Sequence, residues 1–189
     1  MNKVALVLGG NGGIGSSAVK RLVKDGFKVC ATYFKHKDKL KELEIELDSN
    51  KISVFQCDVT NEDEVNKIIS NINSTFGEID VVVFAVTSAL KNTRILKLDW
   101  DEYNSHFDIQ IKPMLFVMKA LSEQINAKYK TKFIVLLTEY CIGSPPKGLS
   151  NYVTSKYAAM CMAKTMAIEL SQYNSTVNMI SPGMVETPL

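Results

Sequence analysis

The chain has 189 residues, of which 46% are hydrophobic and 22% are charged, and its formal net charge is +2. This composition is typical of a folded domain, and so small a charge does not favour nucleic acid or an anionic membrane as a partner. No apolar stretch reaches transmembrane length. We therefore expect a cytoplasmic protein in which residues 1–189 form one domain, with neither a nucleic-acid nor a membrane partner.

The cysteines and histidines give no sign of a metal site. The four cysteines lie far apart in the chain, at Cys30, Cys57, Cys141 and Cys161. None forms a CxxC pair, which favours reduced and mostly buried thiols. His36 and His106 stand apart from each other and from the cysteines, so no metal is expected.

The chain opens with a strand, a glycine turn and a helix. Residues 3–8 are a continuous apolar run, as expected of a strand that is buried on both faces. Residues 9–15 contain five glycines, and a helical pattern follows. Glycines let the backbone approach a pyrophosphate, whose charge suits the free amides at a helix start. This order predicts a nucleotide-binding site, with a plain glycine-rich turn as the alternative.

The second strand, predicted over residues 28–33, bears on the choice of cofactor. In a dinucleotide-binding fold an acid at this strand end prefers NAD, whereas a base accommodates the extra phosphate of NADP. The strand end here has no acid and is followed by Lys35, His36 and Lys37. The sequence therefore favours NADP(H), with NAD(H) possible. A solvated basic turn before a helix over residues 39–47 is the alternative.

The rest of the chain continues to alternate between strands and helices. Further strands are predicted at residues 52–57, 81–86, 133–137 and 176–180. Further helices are predicted at residues 62–76, 101–128 and 152–173, with Ser150 or Asn151 capping the last. This alternation predicts an α/β fold, a doubly wound parallel sheet of six strands in the order 3-2-1-4-5-6 with helices on both faces.

Tyr152 and Lys156 head the last helix and share one of its faces. Free tyrosine has a pKa of about 10, so it exchanges protons poorly at neutral pH. A neighbouring ammonium lowers that pKa by stabilising the phenolate. The pair therefore indicates acid–base chemistry. A surface lysine beside a half-buried tyrosine is the alternative, since this spacing is common by chance.

Taken together, these motifs resemble the short-chain dehydrogenase/reductase family, and the tail resembles its bacterial 3-oxoacyl-carrier-protein reductases. The matching residues are Gly9, Gly13 and Gly15, Asp58 and Val59, residues 76–80, Tyr152 and Lys156, and residues 181–183 with Thr187. The resemblance implies hydride transfer between a nicotinamide cofactor and a small-molecule carbonyl or alcohol. It also implies that Tyr152 is the acid/base, and that Lys156 binds the nicotinamide ribose and lowers the tyrosine pKa. A catalytically weak sensor or scaffold is the alternative.

The resemblance further implies a set of cofactor contacts and a homodimer or homotetramer. The expected cofactor contacts are Gly9, Asn11, Gly13, Ile14, Gly15, Tyr33, Lys35, Asp58, Val59, Ala85, Tyr152, Lys156, Pro182, Gly183, Val185 and Thr187. The expected subunit contacts are the helices over residues 101–128 and 151–173.

Three departures from the family pattern qualify these expectations. Gln110 stands where the family has a catalytic asparagine, and Glu139 stands where it has a carbonyl-binding serine. We expect Thr138 to supply the missing hydroxyl and Glu139 to turn outward. The chain ends at Leu189, where the family continues, so the domain is expected to be truncated after its sixth strand.

Overall fold

The computed structural model describes residues 3–186. Within this range six strands form one parallel sheet in the order β3-β2-β1-β4-β5-β6. The strands are β1 (Val4–Leu8), β2 (Lys28–Tyr33), β3 (Ile52–Gln56), β4 (Ile79–Phe84), β5 (Lys132–Leu136) and β6 (Thr176–Ile180). The fold class and strand order predicted from the sequence are confirmed.

Helices cover the sheet on both faces. They are α1 (Gly13–Lys24), α2 (Asp38–Glu46), α3 (Glu62–Phe76), α4 (Trp100–Ala120), α5 (Ser122–Asn126) and α6 (Ser150–Leu170). Buried residues of α1 and α2 pack in one layer, and those of α3, α4 and α6 pack in the other. Across residues 3–186, no helix combines the length and the apolar character needed to cross a membrane.

The central strand β1 shows why the sheet needs both layers. All five of its residues are buried. Val4, Leu6 and Leu8 belong to the core on one face, whereas Ala5 and Val7 belong to the core on the other. Successive side chains of a strand point to opposite faces, so a continuous apolar run requires helices on both sides.

Strand β4 begins at Ile79, two residues before the predicted start. The prediction placed Asp80 just before the strand. The structure accommodates it with two hydrogen bonds. The Asp80 carboxylate accepts one from the backbone N–H of Val4 at 2.7 Å and one from the Tyr129 hydroxyl at 3.1 Å.

The long helix predicted over residues 101–128 is two helices that meet at Leu121. Pro113 lies buried inside α4. The predicted cap of α6 is wrong. Its N-cap is Leu149, which makes no side-chain hydrogen bond, and the Asn151 Oδ1 atom instead accepts from the adjacent N–H of Tyr152.

All four cysteines are free. Cys161 is exposed, and the other three are buried. Burial raises the pKa of both Cys30 and Cys57 to about 12. These two thiols are therefore protonated at neutral pH and are poor nucleophiles.

Candidate active site

The glycine turn brings the start of α1 directly against the end of β1. A Cβ atom on Gly15 would lie 2.1 Å from the carbonyl oxygen of Gly9, so no larger residue fits without moving the helix. Gly9 itself has a φ of +81°, which favours glycine. The first N–H groups of α1 have no partner within the helix, and they attract an anion at this position.

A cavity of about 790 Å³ runs from this turn along the ends of the neighbouring strands. Its far end is lined by Tyr33, the last residue of β2, by Lys35 just beyond it, and by Asp58, which follows β3. Because parallel strands end at one edge of a sheet, residues distant in the sequence meet here. The predicted contacts that line this cavity are Gly9, Asn11, Tyr33, Lys35, Asp58, Val59 and Ala85.

A smaller cavity of about 150 Å³ adjoins the first and shares Gly12, Ala85, Val86 and Thr87 with it. Its predicted contacts are Gly13, Ile14, Gly15, Ala85, Thr138, Tyr152, Lys156, Pro182, Gly183 and Val185. The structure therefore brings together nearly all the residues predicted from the sequence. The predicted contact Thr187 lies outside the described residues.

Lys156 is buried beneath the smaller cavity, with 3% of its surface exposed. Its Nζ atom donates a hydrogen bond to the carbonyl oxygen of Leu136, at the end of β5, over 2.6 Å. Burial lowers the pKa of Lys156 to about 8. The ammonium is thus still charged at neutral pH but close to losing its proton.

Tyr152 has a raised pKa, whereas the resemblance led us to expect a lowered one. Burial is the largest cause, and a side-chain hydrogen bond with Thr138 acts in the opposite direction. The Lys156 Nζ atom lies 5.9 Å from the centre of the tyrosine ring and is bonded to the Leu136 carbonyl instead of the phenol. The lysine therefore does not offset the effect of burial.

Thr138 and Glu139 lie just beyond β5 and differ in burial. Thr138 is buried, lines the smaller cavity and begins a 3₁₀ turn. Glu139 is exposed, and its N–H donates to the Pro182 carbonyl at 2.9 Å. Its carboxylate covers Gly183, where an added Cβ atom would lie 3.2 Å from Oε2. Glu139 thus supports the loop after β6.

Gln110 supports the backbone between the two cavities. It is buried, and its Nε2 atom donates to the Val86 carbonyl oxygen at 2.9 Å. Val86 lines both cavities, whereas Gln110 is not among the described residues that line either. This contact is structural, and the catalytic role of Gln110 stays a prediction.

His106 is a neighbour of Tyr152 that the sequence did not identify. The two rings meet edge to face, with centroids 6.2 Å apart. His106 lies one turn before Gln110 on α4, so the helical spacing places both residues on the same face of the helix. That spacing, and a histidine among the core positions of a helix, were the signals in the sequence that could have identified His106 as a site residue. Across residues 3–186, no group of histidines, cysteines and acids is arranged to hold a metal ion.

Comparisons with known proteins agree with this geometry. The family model described as short chain dehydrogenase matches residues 3–189. The 3-oxoacyl-(acyl-carrier-protein) reductase FabG of Staphylococcus epidermidis is 30% identical over 189 residues, with 98% of this chain and 76% of that protein covered.

Two solved structures are similar over almost the whole chain. ElxO with NADP bound is 27% identical with a TM-score of 0.88, covering 99% of this chain and 75% of its own. A tyrosine-to-phenylalanine variant of ElxO, solved with NADPH bound, is 26% identical with the same TM-score and the same coverage. A short-chain dehydrogenase from Streptomyces avermitilis gives a TM-score of 0.90 at 20% identity, covering 100% of this chain and 68% of its own, which supports the fold alone.

The buried charge of Lys156 predicts how stability changes with pH. Because its pKa falls to about 8 in the folded protein, from about 10.4 in the unfolded chain, the unfolded state binds more protons between these values. Burying the charge therefore lowers the free energy of unfolding by its full amount below pH 8, and this destabilisation decreases as the pH rises towards about 10.4. We expect Lys156→Met to melt at a higher temperature than the parent at pH 7, with a difference that shrinks above pH 8.

Thermal unfolding followed by circular dichroism from pH 7 to 10 measures this difference. Lys164→Met is the matched control, because Lys164 lies on the same helix but is exposed. If Lys156→Met melts at a lower temperature than the parent at pH 7, the hydrogen bond to Leu136 outweighs the cost of burying the charge.

Proposed function

The chain belongs to the short chain dehydrogenase family, and on that premise we propose that it is an NADP(H)-dependent carbonyl reductase. The observation that carries this proposal is the smaller cavity, whose wall contains Thr138, Tyr152 and Lys156 next to the glycine turn. These three groups meet the needs of carbonyl reduction. The hydroxyl and the phenol bind the carbonyl oxygen, the phenol donates a proton to it, and the ammonium stabilises the phenolate that remains.

The residues present fit a dinucleotide. Gly9 and Gly15 let the start of α1 lie close against the end of β1, and the free N–H groups at that helix start suit a pyrophosphate. The larger cavity then leads to Tyr33 and Lys35, where Lys35 is exposed and positioned to meet a ribose phosphate. ElxO, a structural relative, binds NADP. These observations favour NADP(H) for this chain, bound by the contacts predicted from the sequence.

When bound, the cofactor supplies a hydride to the carbonyl carbon of the substrate. The Thr138 and Tyr152 hydroxyls bind the carbonyl oxygen, and Tyr152 transfers its proton to that oxygen. The raised pKa of Tyr152 keeps the phenol protonated at neutral pH, which is the state that a proton donor requires. The Lys156 ammonium then faces a newly formed phenolate and stabilises it.

The substrate is a small molecule with a reducible carbonyl. The FabG relative of Staphylococcus epidermidis is named a 3-oxoacyl reductase, so 3-oxoacyl compounds are the first class to assay. Glu139 carries a negative charge beside Gly183, which lines the smaller cavity. A neutral substrate analogue is therefore expected to be accepted more readily than one with an anionic group close to its carbonyl.

A second function is favoured by one observation. Gln110 uses its amide to hold the Val86 carbonyl, a contact that competes with the part played by the family's asparagine. A protein that binds NADP(H) but turns over slowly, acting as a sensor or scaffold, would tolerate this change. Tight cofactor binding with no turnover across a panel of activated ketones and 3-oxoacyl substrates would favour this second function.

We also propose self-association and a reducing compartment. Exposed large apolar side chains lie on α4 and α6, and they are Trp100, Leu115, Tyr157 and Ile168. Their surfaces support a homodimer or homotetramer that pairs these helices. Free cysteines at every position support a cytoplasmic location.

The proton donor is tested by Tyr152→Phe, which removes the hydroxyl and keeps the ring. We expect turnover to fall by about 10²- to 10⁴-fold, the usual scale for losing a general acid. NADPH affinity, measured by fluorescence titration, should change little. Tyr157→Phe on the same helix is the control, because its side chain is exposed and is not among those lining the smaller cavity. Unchanged turnover in Tyr152→Phe would contradict the assignment.

The carbonyl-binding hydroxyl is tested by comparing two adjacent positions. Thr138→Ala removes a buried hydroxyl from the cavity wall and should lower turnover by about 10²-fold. Glu139→Gln keeps the shape of an exposed side chain and should lower it by about twofold or less. Steady-state kinetics with one ketone decides the order. A larger loss in Glu139→Gln would assign the carbonyl contact to a protonated carboxyl.

The cofactor preference is tested at Lys35. We expect Lys35→Ala to weaken NADPH binding by about fivefold, because an exposed ion pair contributes little, and to leave NADH binding unchanged. Calorimetric titration of both cofactors measures the two affinities. Lys41→Ala is the control, since this exposed lysine of α2 is not among the described residues lining the larger cavity. Equal affinities of the parent for NADPH and NADH would contradict the preference.

A further inference from the structure

His106 occupies a position that the proposed chemistry does not use. It lies in α4 with 2% of its surface exposed. Its ring meets that of Tyr152 edge to face, at 6.2 Å between centroids and 73° between planes. A histidine buried against the proposed proton donor calls for an explanation, because leucine or isoleucine fills such a helix position without an unpaired polar atom.

The Nδ1 atom of His106 is buried and has no hydrogen-bond partner among the described residues. The titratable and charged groups that act on this ring are Glu102 on its own helix, and Lys156 and Tyr152 on α6. Burial lowers the pKa of His106, Lys156 lowers it further, and Glu102 opposes them. The ring is therefore neutral at pH 7, and protonation would bring a second cation near the Lys156 ammonium.

The Tyr152 ring is held from two sides. Lys156 lies over it, with Nζ 5.9 Å from the ring centre, and His106 presses edge to face against it. The Asn151 side chain contacts Tyr152 only at its backbone, where Oδ1 accepts from the Tyr152 N–H at 2.9 Å. Ring packing therefore contributes much of what fixes the phenol beside Thr138.

We propose that neutral His106 is a positioning residue, which holds the Tyr152 ring so that its hydroxyl stays at the carbonyl-binding position. This inference rests on the proposed function, because it matters only if Tyr152 donates the proton. An imidazolium ring would be repelled by Lys156 and drawn towards Glu102, away from the tyrosine. Turnover therefore falls at acid pH as His106 takes up a proton.

Two substitutions separate packing from protonation. His106→Leu fills the position with an apolar side chain but loses the aromatic edge. It should lower kcat by about tenfold or more with KM nearly unchanged, because a small misplacement of a catalytic group is costly. His106→Phe keeps the ring and cannot titrate. It should restore most of kcat at pH 7.5 and lose the fall in turnover at acid pH.

Phe107→Leu is the matched control, because Phe107 is the next residue of α4 and stacks on Tyr103 instead of Tyr152. It should leave kcat and the pH profile unchanged. Parental kcat in His106→Leu, or an acid limb that persists in His106→Phe, would overturn the proposal. If His106→Leu does not fold, the pH profile of His106→Phe still decides.

A measurement without turnover separates this proposal from the proposed function. The chain has two histidines, so NMR signals of the imidazoles can be assigned with His36→Gln. Tyr152→Leu, which removes the aromatic ring, should shift the His106 signal and its titration, whereas Tyr157→Leu should not. If the signals respond as expected but Tyr152→Phe keeps full turnover, the contact exists and the proposed function is wrong. If Tyr152→Phe is inactive but the His106 signal is unaffected by Tyr152→Leu, the positioning role is wrong.

Discussion

The buried ammonium of Lys156 is the constraint on which the site depends. Its hydrogen bond to the Leu136 carbonyl ties α6 to the end of β5. This contact sets the height of Tyr152 on the helix relative to Thr138, which lies two residues past the end of β5. A charge in such a position destabilises the fold, and it is tolerated because a well-placed carbonyl receives it. A buried lysine that destabilises the fold is therefore consistent with a chemical role for its charge, such as the one proposed above.

The fold could be predicted almost entirely from the sequence, because its strands are short apolar runs separated by helical patterns. Such alternation leaves few topologies once crossovers are right-handed. The errors arose where tertiary contacts override local pattern. Asp80 could enter β4 because the Val4 N–H and the Tyr129 hydroxyl satisfy its carboxylate. The start of α6 lacks the predicted cap because the Asn151 side chain bonds to the N–H of Tyr152.

The sequence identified which residues lie together at the candidate site, but it did not predict the contacts between them. The glycine turn, Tyr152 and Lys156 could be found because motif spacing carries them, and the edge of a parallel sheet brings them together. The direction of the Tyr152 pKa could not be found, since it depends on how deeply the phenol is buried and where the ammonium points. His106 was missed for a related reason: packing between α4 and α6 leaves no motif.

In the proposed reaction, the pKa shifts of Tyr152 and Lys156 both favour carbonyl reduction. Burial raises the pKa of Tyr152 and lowers that of Lys156, and in each case it favours the neutral form. A protonated phenol suits the reduction of a carbonyl, whereas oxidation of an alcohol would start from the phenolate. The lysine, at a pKa of about 8, keeps its charge at neutral pH. Because neither partner is strongly stabilised as an ion pair before reaction, the attraction between ammonium and phenolate develops as the proton leaves. Stabilisation that grows along the reaction lowers the barrier, whereas an ion pair already formed at rest would not.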